Sequence, residues 1–169
     1  MIIKDLQEIA SISRRNEKQN WKFRSLLKTL DGNRIDRIVK PIYESVITQI
    51  NCQDCGNCCR LLQPLLTDSD MATIGQKLNL TPDDIREKYS ELDEFNETIL
   101  TGSPCVFLSG NHCQIYEARP EACRSYPHLH KKGFTSRLFG IMENISICPI
   151  AFNVYEQLKY QLKNNQPFS

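Results

Sequence analysis

Residues 52–59 read Cys52-Gln53-Asp54-Cys55-Gly56-Asn57-Cys58-Cys59. Core packing does not produce four thiols in eight residues. A buried structural cysteine behaves as a small hydrophobe among apolar neighbours, whereas these stand among Gln, Asp, Gly and Asn. Two intervening residues let a tight turn aim both sulfurs of a pair at one centre. Gly56 relieves crowding and supplies the positive φ such a turn takes. Thiolates are ligands for zinc and iron–sulfur chemistry, not for calcium or magnesium. The rest of the chain must therefore fold around a thiol-rich loop.

The spacing extends the argument. Cys52, Cys55 and Cys58 form an uninterrupted C-x2-C-x2-C run, where a zinc knuckle needs only one pair. Three thiols so spaced suit three irons of a cubane, as in bacterial ferredoxins, where a Cys-Pro follows. Cys148-Pro149 offers such a dipeptide. Cys59, Cys105, Cys113 and Cys123 then remain for a second four-coordinate site. Two zinc sites, each of four thiolates, use the same eight residues equally well. Adjacent Cys58 and Cys59 point in different directions, which favours two centres, a cluster or one idle thiol. His112, His128 and His130 are reserve ligands, since neutral imidazole also binds zinc and iron.

The 169 residues are the length of one domain, with 1–50 as N-terminal helices, 51–150 as the cysteine region and 151–169 as a last helix. Lys and Arg number 21 against 20 Asp and Glu, a net +1 that argues against nucleic acid. The charge is uneven: residues 51–100 carry a net −6. No apolar run reaches the roughly 18–20 residues of a membrane span. The start lacks the apolar stretch of a secretory signal, so a reducing cytoplasm is expected. In that setting clustered cysteines are metal ligands or catalytic thiols rather than disulfides.

Ile2, Leu6 and Ile9, then Phe23, Leu26, Leu27 and Leu30, recur at helical spacing. Asp31-Gly32-Asn33 marks a turn between helices. Ile35, Ile38, Val39, Ile42, Val46 and Ile50 form an apolar stripe, in which Pro41 predicts a kink or restart. Thr67 and Thr81 precede acidic first turns, and Pro82 suits a first helical position. Two β-prone runs around Ser109-Gly110-Asn111 read as a hairpin. Pro120 opens a short helical turn. Pro149 opens a last helix with Ile150, Val154, Leu158 and Leu162 on one face. The expected fold is mostly α with a small β-hairpin.

Cys52–Cys59, Cys105-Val106-Phe107-Leu108 and the run Cys113-Gln114-Ile115-Tyr116-Glu117-Ala118-Arg119-Pro120-Glu121-Ala122-Cys123-Arg124-Ser125-Tyr126-Pro127 together resemble the YkgJ-type cysteine-cluster family. That family is described as zinc- or iron-chelating, and flagellin lysine N-methylases carry a related domain. The resemblance spans about residues 51–150. It implies Cys52, Cys55, Cys58, Cys59, Cys105, Cys113, Cys123 and Cys148 as metal ligands, for an iron–sulfur cluster or zinc. Arg119 and Arg124 match the motif too. They stand either as counter-charges to thiolates or as structural donors to carbonyls.

Three functions compete. The first is a metal-binding protein with a structural or redox centre. The second is a methyltransferase or redox enzyme, for which a Gly-rich cofactor loop and the radical S-adenosylmethionine spacing C-x3-C-x2-C are both missing. The third is a zinc-stabilised interaction module whose N-terminal helices bind a protein partner. An exposed apolar face over residues 35–50 would mark that third case.

Overall fold

The structure, a computed structural model, describes residues 2–164. In chain order the elements are α1 (Leu6–Arg15), α2 (Glu17–Leu27), α3 (Gly32–Ile47), α4 (Cys52–Cys55), α5 (Asn57–Leu61), α6 (Asp68–Leu78), α7 (Pro82–Tyr89), β1 (Ser90–Leu92), β2 (Thr98–Leu100), β3 (Leu108–Ser109), β4 (His112–Cys113), α8 (Glu121–Ser125), α9 (Leu138–Asn144) and α10 (Pro149–Asn164). The mostly helical architecture is as expected. The residues group into two compact units, one built from Met1–Asn51 with Pro127–Ser169 and one from Cys52–Tyr126.

The first unit is all helical. α1 begins at Leu6 because the Asp5 side chain accepts from the Glu8 N–H at 2.7 Å, so Ile2 precedes the helix rather than extending it. Asp31 does the same for α3, accepting from Arg34 N–H. α3 continues through Pro41 to Ile47 without a restart. Proline removes one backbone bond there, but Val39, Ile42 and Val46 on either side are buried and hold the helix. α3 packs on α10, whose Ile150, Val154, Leu158 and Leu162 are buried as their spacing predicts. Over residues 35–50, Ile35, Val39, Ile42, Val46 and Ile50 are buried and Ile47 is exposed.

Side-chain bonds tie the unit's distant segments. Asn153 donates to the carbonyls of Ile3 and Pro149, both at 2.7 Å, and accepts from Ile3 N–H at 2.9 Å. The Asp36 carboxylate accepts from Gly133 and Phe134 N–H at 2.7 and 2.9 Å. Buried Tyr155 donates to the Asn20 carbonyl at 3.0 Å. No single helix among the described residues is long and apolar enough to cross a membrane.

The second unit has a small core of Leu66, Met71, Ile74, Ile85, Leu100, Phe107, Ile115 and Ala118, with Cys105 and Cys113 packed against it. Both threonine signals are capping boxes: Thr67 with Asp70 opens α6, and Thr81 with Asp84 opens α7. The expected hairpin is β3–β4, with Leu108 opposite Cys113 and Ser109 opposite His112. A second antiparallel ribbon, β1–β2, pairs Ser90 with Leu100. Its strands carry Glu91 and Thr98 on a short acidic segment, so no alternating apolar pattern announces it.

Candidate metal centre

The CxxCxxCC segment folds as two helical turns, α4 and α5, joined at Gly56. Gly56 has φ +59°, and a Cβ there would lie 3.1 Å from the Asn111 backbone and from the Arg60 guanidinium. Only glycine satisfies both the conformation and the close approach. Arg60 explains the approach. Its guanidinium donates to the carbonyls of Cys55 (3.0 Å) and Gly110 (2.9 Å) and to Asn111 Oδ1. Asn111 Nδ2 returns a bond to the Asp54 carbonyl at 2.9 Å. The tip of the β3–β4 hairpin is thereby locked onto the cysteine loop. Cys105 N–H adds a bond to the Cys59 carbonyl at 2.7 Å.

Seven of the eight predicted thiols belong to this unit, and Cys59 is their hub. Its charge acts on Cys52, Cys105, Cys113 and Cys123, and Cys58 donates a hydrogen bond to its sulfur. Cys52 and Cys55 also interact with one another. Cys148 is in the other unit, buried at the junction of α9 and α10, with its N–H on the Asn144 carbonyl at 2.8 Å. His112 is exposed on the hairpin, while His128 and His130 belong to the other unit, His130 lying 5.9 Å from the Tyr43 ring. None of the eight cysteines forms a disulfide among the described residues.

The thiols do not titrate alike. Cys59 drops to about 6, chiefly through the Cys58 hydrogen bond; burial opposes the drop, and Arg60, its own backbone N–H and Arg119 assist it. Burial pushes Cys123 up to about 12, and the charges of Cys59, Cys105 and Cys113 add to the effect, with Arg119 working against it. Burial is also the first cause that raises Cys52, Cys105 and Cys113. Backbone N–H groups of Phe107 and Ile115 point at the sulfurs of Cys105 and Cys113 and oppose that rise. One thiol thus ionises near neutrality while its neighbours resist a second charge. A cation among them removes that repulsion and displaces the remaining protons.

Arg119 and Arg124 separate by role. Arg124 donates to the Arg119 carbonyl at 2.5 Å and pairs with Glu121 at 3.1 Å and Asp70 at 3.8 Å, so it is a structural donor. Arg119 lies 3.6 Å from the centre of the Tyr116 ring and acts on Cys52, Cys59, Cys113 and Cys123. Arg60 is the residue that sequence reasoning missed. One arginine after a cysteine pair looks ordinary until the hairpin folds back to meet it.

Among the described residues, no three His, Cys, Asp or Glu side chains already stand in a metal-binding arrangement. The donor set nevertheless fits a thiophilic metal in type and number, because Cys59, Cys105, Cys113 and Cys123 interact mutually and face backbone N–H groups and arginines. No curated protein and no solved structure matches the chain. The family described as "CxxCxxCC: Putative zinc- or iron-chelating domain" matches residues 51–148, more than half of the length. Since the match holds all eight cysteines and runs over more than half of the chain, this protein belongs to the CxxCxxCC family.

Proposed function

We propose that the protein chelates zinc or iron, as an ion or an iron–sulfur cluster, with Cys59, Cys105, Cys113 and Cys123 as the central ligands. The observation that carries this reading is the hydrogen-bonded lock of the Cys52–Cys59 loop onto the segment of Cys105 and Cys113, inside the region that matches the chelating family. Cys52, Cys55 and Cys58 adjoin the hub and supply thiolates for a second ion or for a cluster. Cys148 serves the packing of the helical unit in this reading. Thiols kept out of disulfides suit a reducing cytoplasm.

The chain's own residues do the following. Cys58 and the two arginines hold Cys59 as the first thiolate, ready to capture a cation at neutral pH. Burial keeps Cys105, Cys113 and Cys123 protonated until the cation arrives. The core beneath Cys105 and Cys113 keeps water from one side of the site. When bound, zinc supplies a structural cross-link, and an iron–sulfur cluster supplies one-electron transfer.

The test is elemental analysis and a UV–visible spectrum on anaerobically purified protein, wild type beside Cys123→Ser and Cys148→Ser. Stoichiometric zinc or iron that falls in Cys123→Ser and stays in Cys148→Ser is expected. Absorption near about 400 nm with acid-labile sulfide identifies a cluster, and a colourless zinc protein identifies ions. A wild-type protein with neither metal sinks the reading.

A further inference from the structure

Two surfaces of this chain carry large apolar side chains that its own core leaves uncovered, and their charges are opposite. The first is the tip of the β1–β2 ribbon, where Phe95 is 73% exposed and Leu92 64%. Hydrogen bonds fix this tip. Asp93 N–H donates to the Glu97 carbonyl at 3.0 Å, and the Asp93 carboxylate accepts from Phe95 and Glu97 N–H at 2.9 and 2.8 Å. Glu91, Asp93, Glu94 and Glu97 flank the two apolar residues, and no Lys or Arg occurs between Lys88 and Arg119. None of these four carboxylates joins a salt bridge among the described residues. The second surface is the outer face of α2. Asn20 and Leu27 are buried, and Phe23 meets the Tyr155 ring edge-on at 5.3 Å, which sets the inward face. Lys18, Trp21, Lys22, Ser25 and Leu26 recur at i, i+3, i+4, i+7 and i+8, the spacing of a single helix face, and all are exposed. Trp21 is 41% exposed and Leu26 38%. Residues 14–28 hold six Lys or Arg against one Glu.

We propose that the protein self-associates, the acidic tip of the ribbon in one copy docking on the basic outer face of α2 in a second copy. Phe95 and Leu92 leave water against Trp21 and Leu26, while Glu94 and Glu97 meet Lys18 and Lys22. Charge complementarity selects this occupant. A two-fold contact of either surface with itself would set like charges together, whereas tip against helix sets opposite charges together. Aromatic side chains such as Phe95 and Trp21 are the usual anchors of a protein interface. The contact uses no cysteine and is independent of the metal-chelating reading. One tip on one helix is small beside a standard interface of about 800 Å² per partner, so a weak association, with a dissociation constant of roughly 10–100 µM, is expected.

The experiment is sedimentation equilibrium of the full chain, purified anaerobically and kept under reductant so that no intermolecular disulfide contributes. The weight-average mass is expected to rise above the 19.6 kDa of one chain with concentration and to fall back at high salt. Phe95→Ser keeps every charge and is expected to weaken the association about tenfold. Glu94→Lys with Glu97→Lys reverses the tip, and Lys18→Glu with Lys22→Glu reverses the face of α2. All five side chains are exposed, so the fold should survive, and circular dichroism checks it. Each charge-reversed protein is expected to stay a single chain alone, and the two are expected to associate when mixed, because opposite charges face each other again. A wild type that keeps the mass of one chain up to about 0.5 mM overturns the proposal. So does a Phe95→Ser protein that associates as the wild type does. A single chain that instead sediments with phosphatidylserine vesicles also overturns it, and assigns the face of α2 to an anionic membrane surface.

Discussion

Asp70 is a single carboxylate that serves two helices, and its removal has a calculable cost. One oxygen accepts from Thr67 N–H at 3.0 Å and Thr67 O–H at 2.7 Å, closing the capping box of α6. The other accepts from Glu121 N–H at 2.9 Å, at the first turn of α8, the helix that carries Cys123. The side chain is only 4% exposed. Thr67→Ala removes both bonds of the Thr67 hydroxyl but leaves the Glu121 bond in place, and is expected to cost about 1 kcal/mol. Asp70→Ala removes the reciprocal half of the box and also strands the Glu121 N–H, so about 2–4 kcal/mol is expected. Urea denaturation followed by circular dichroism measures both. An Asp70→Ala loss no larger than that of Thr67→Ala refutes the idea that this residue joins α6 to α8. The pH dependence gives a second check. Burial alone pushes the Asp70 carboxyl up, but hydrogen bonds from Thr67 and Glu121 and the Arg124 charge outweigh it and hold it below its ordinary 3.8. A depressed carboxyl contributes stability that is complete above 3.8 and lost as pH falls through the folded value. Acid should therefore destabilise the wild type more than Asp70→Asn.

Three further outcomes are expected. In Gly75→Ala the new Cβ would lie 2.6 Å from the Leu80 carbonyl oxygen; overpacking of about 1–3 kcal/mol outweighs the gain in helix propensity, and an unchanged melting temperature would contradict the contact. In the metal-free protein, the alkylation rate at Cys59, followed by peptide mass, should rise to half-maximum near pH 6. Cys58→Ala should move that midpoint toward 9, because its hydrogen bond is the main cause of the shift; a midpoint that stays put assigns the cause elsewhere. Asn153→Ala loses three hydrogen bonds at a position 3% exposed. A loss of about 2–3 kcal/mol with faster hydrogen exchange at Ile3 is expected, and slow exchange at Ile3 would rule out the anchor.

Local chemistry made much of this molecule legible. Thr67 and Thr81 announce helix starts because a hydroxyl three residues before a carboxylate satisfies backbone donors whatever the surroundings. Gly110 and the flanking β-prone runs announce the hairpin, and Gly56 the turn in the cysteine loop. Pro41 misleads because its cost is one backbone bond, which buried neighbours on α3 offset. The β1–β2 ribbon is silent because Glu91, Asp93, Glu94 and Glu97 give it no apolar alternation. Within the centre, the grouping of Cys59 with Cys105, Cys113 and Cys123 was one of the partitions open from spacing alone. The hold of Arg60 on the hairpin tip was not foreseeable, since it joins residues about fifty positions apart.

The helical unit is assembled from both sides of the cysteine unit in the chain, and this sets an order of events during synthesis. α3 leaves the ribosome with its apolar stripe uncovered, and α10 follows about a hundred residues later. At roughly 5–20 residues per second that delay is about 5–20 s. Ribosome-stalled chains ending between Tyr126 and Pro149 should therefore be cut by protease within α3 and become resistant only once α10 has emerged. The thiol-bearing residues 52–126 are contiguous and emerge whole within that interval. Seven of the eight cysteines therefore emerge while the helices on either side are still waiting for each other.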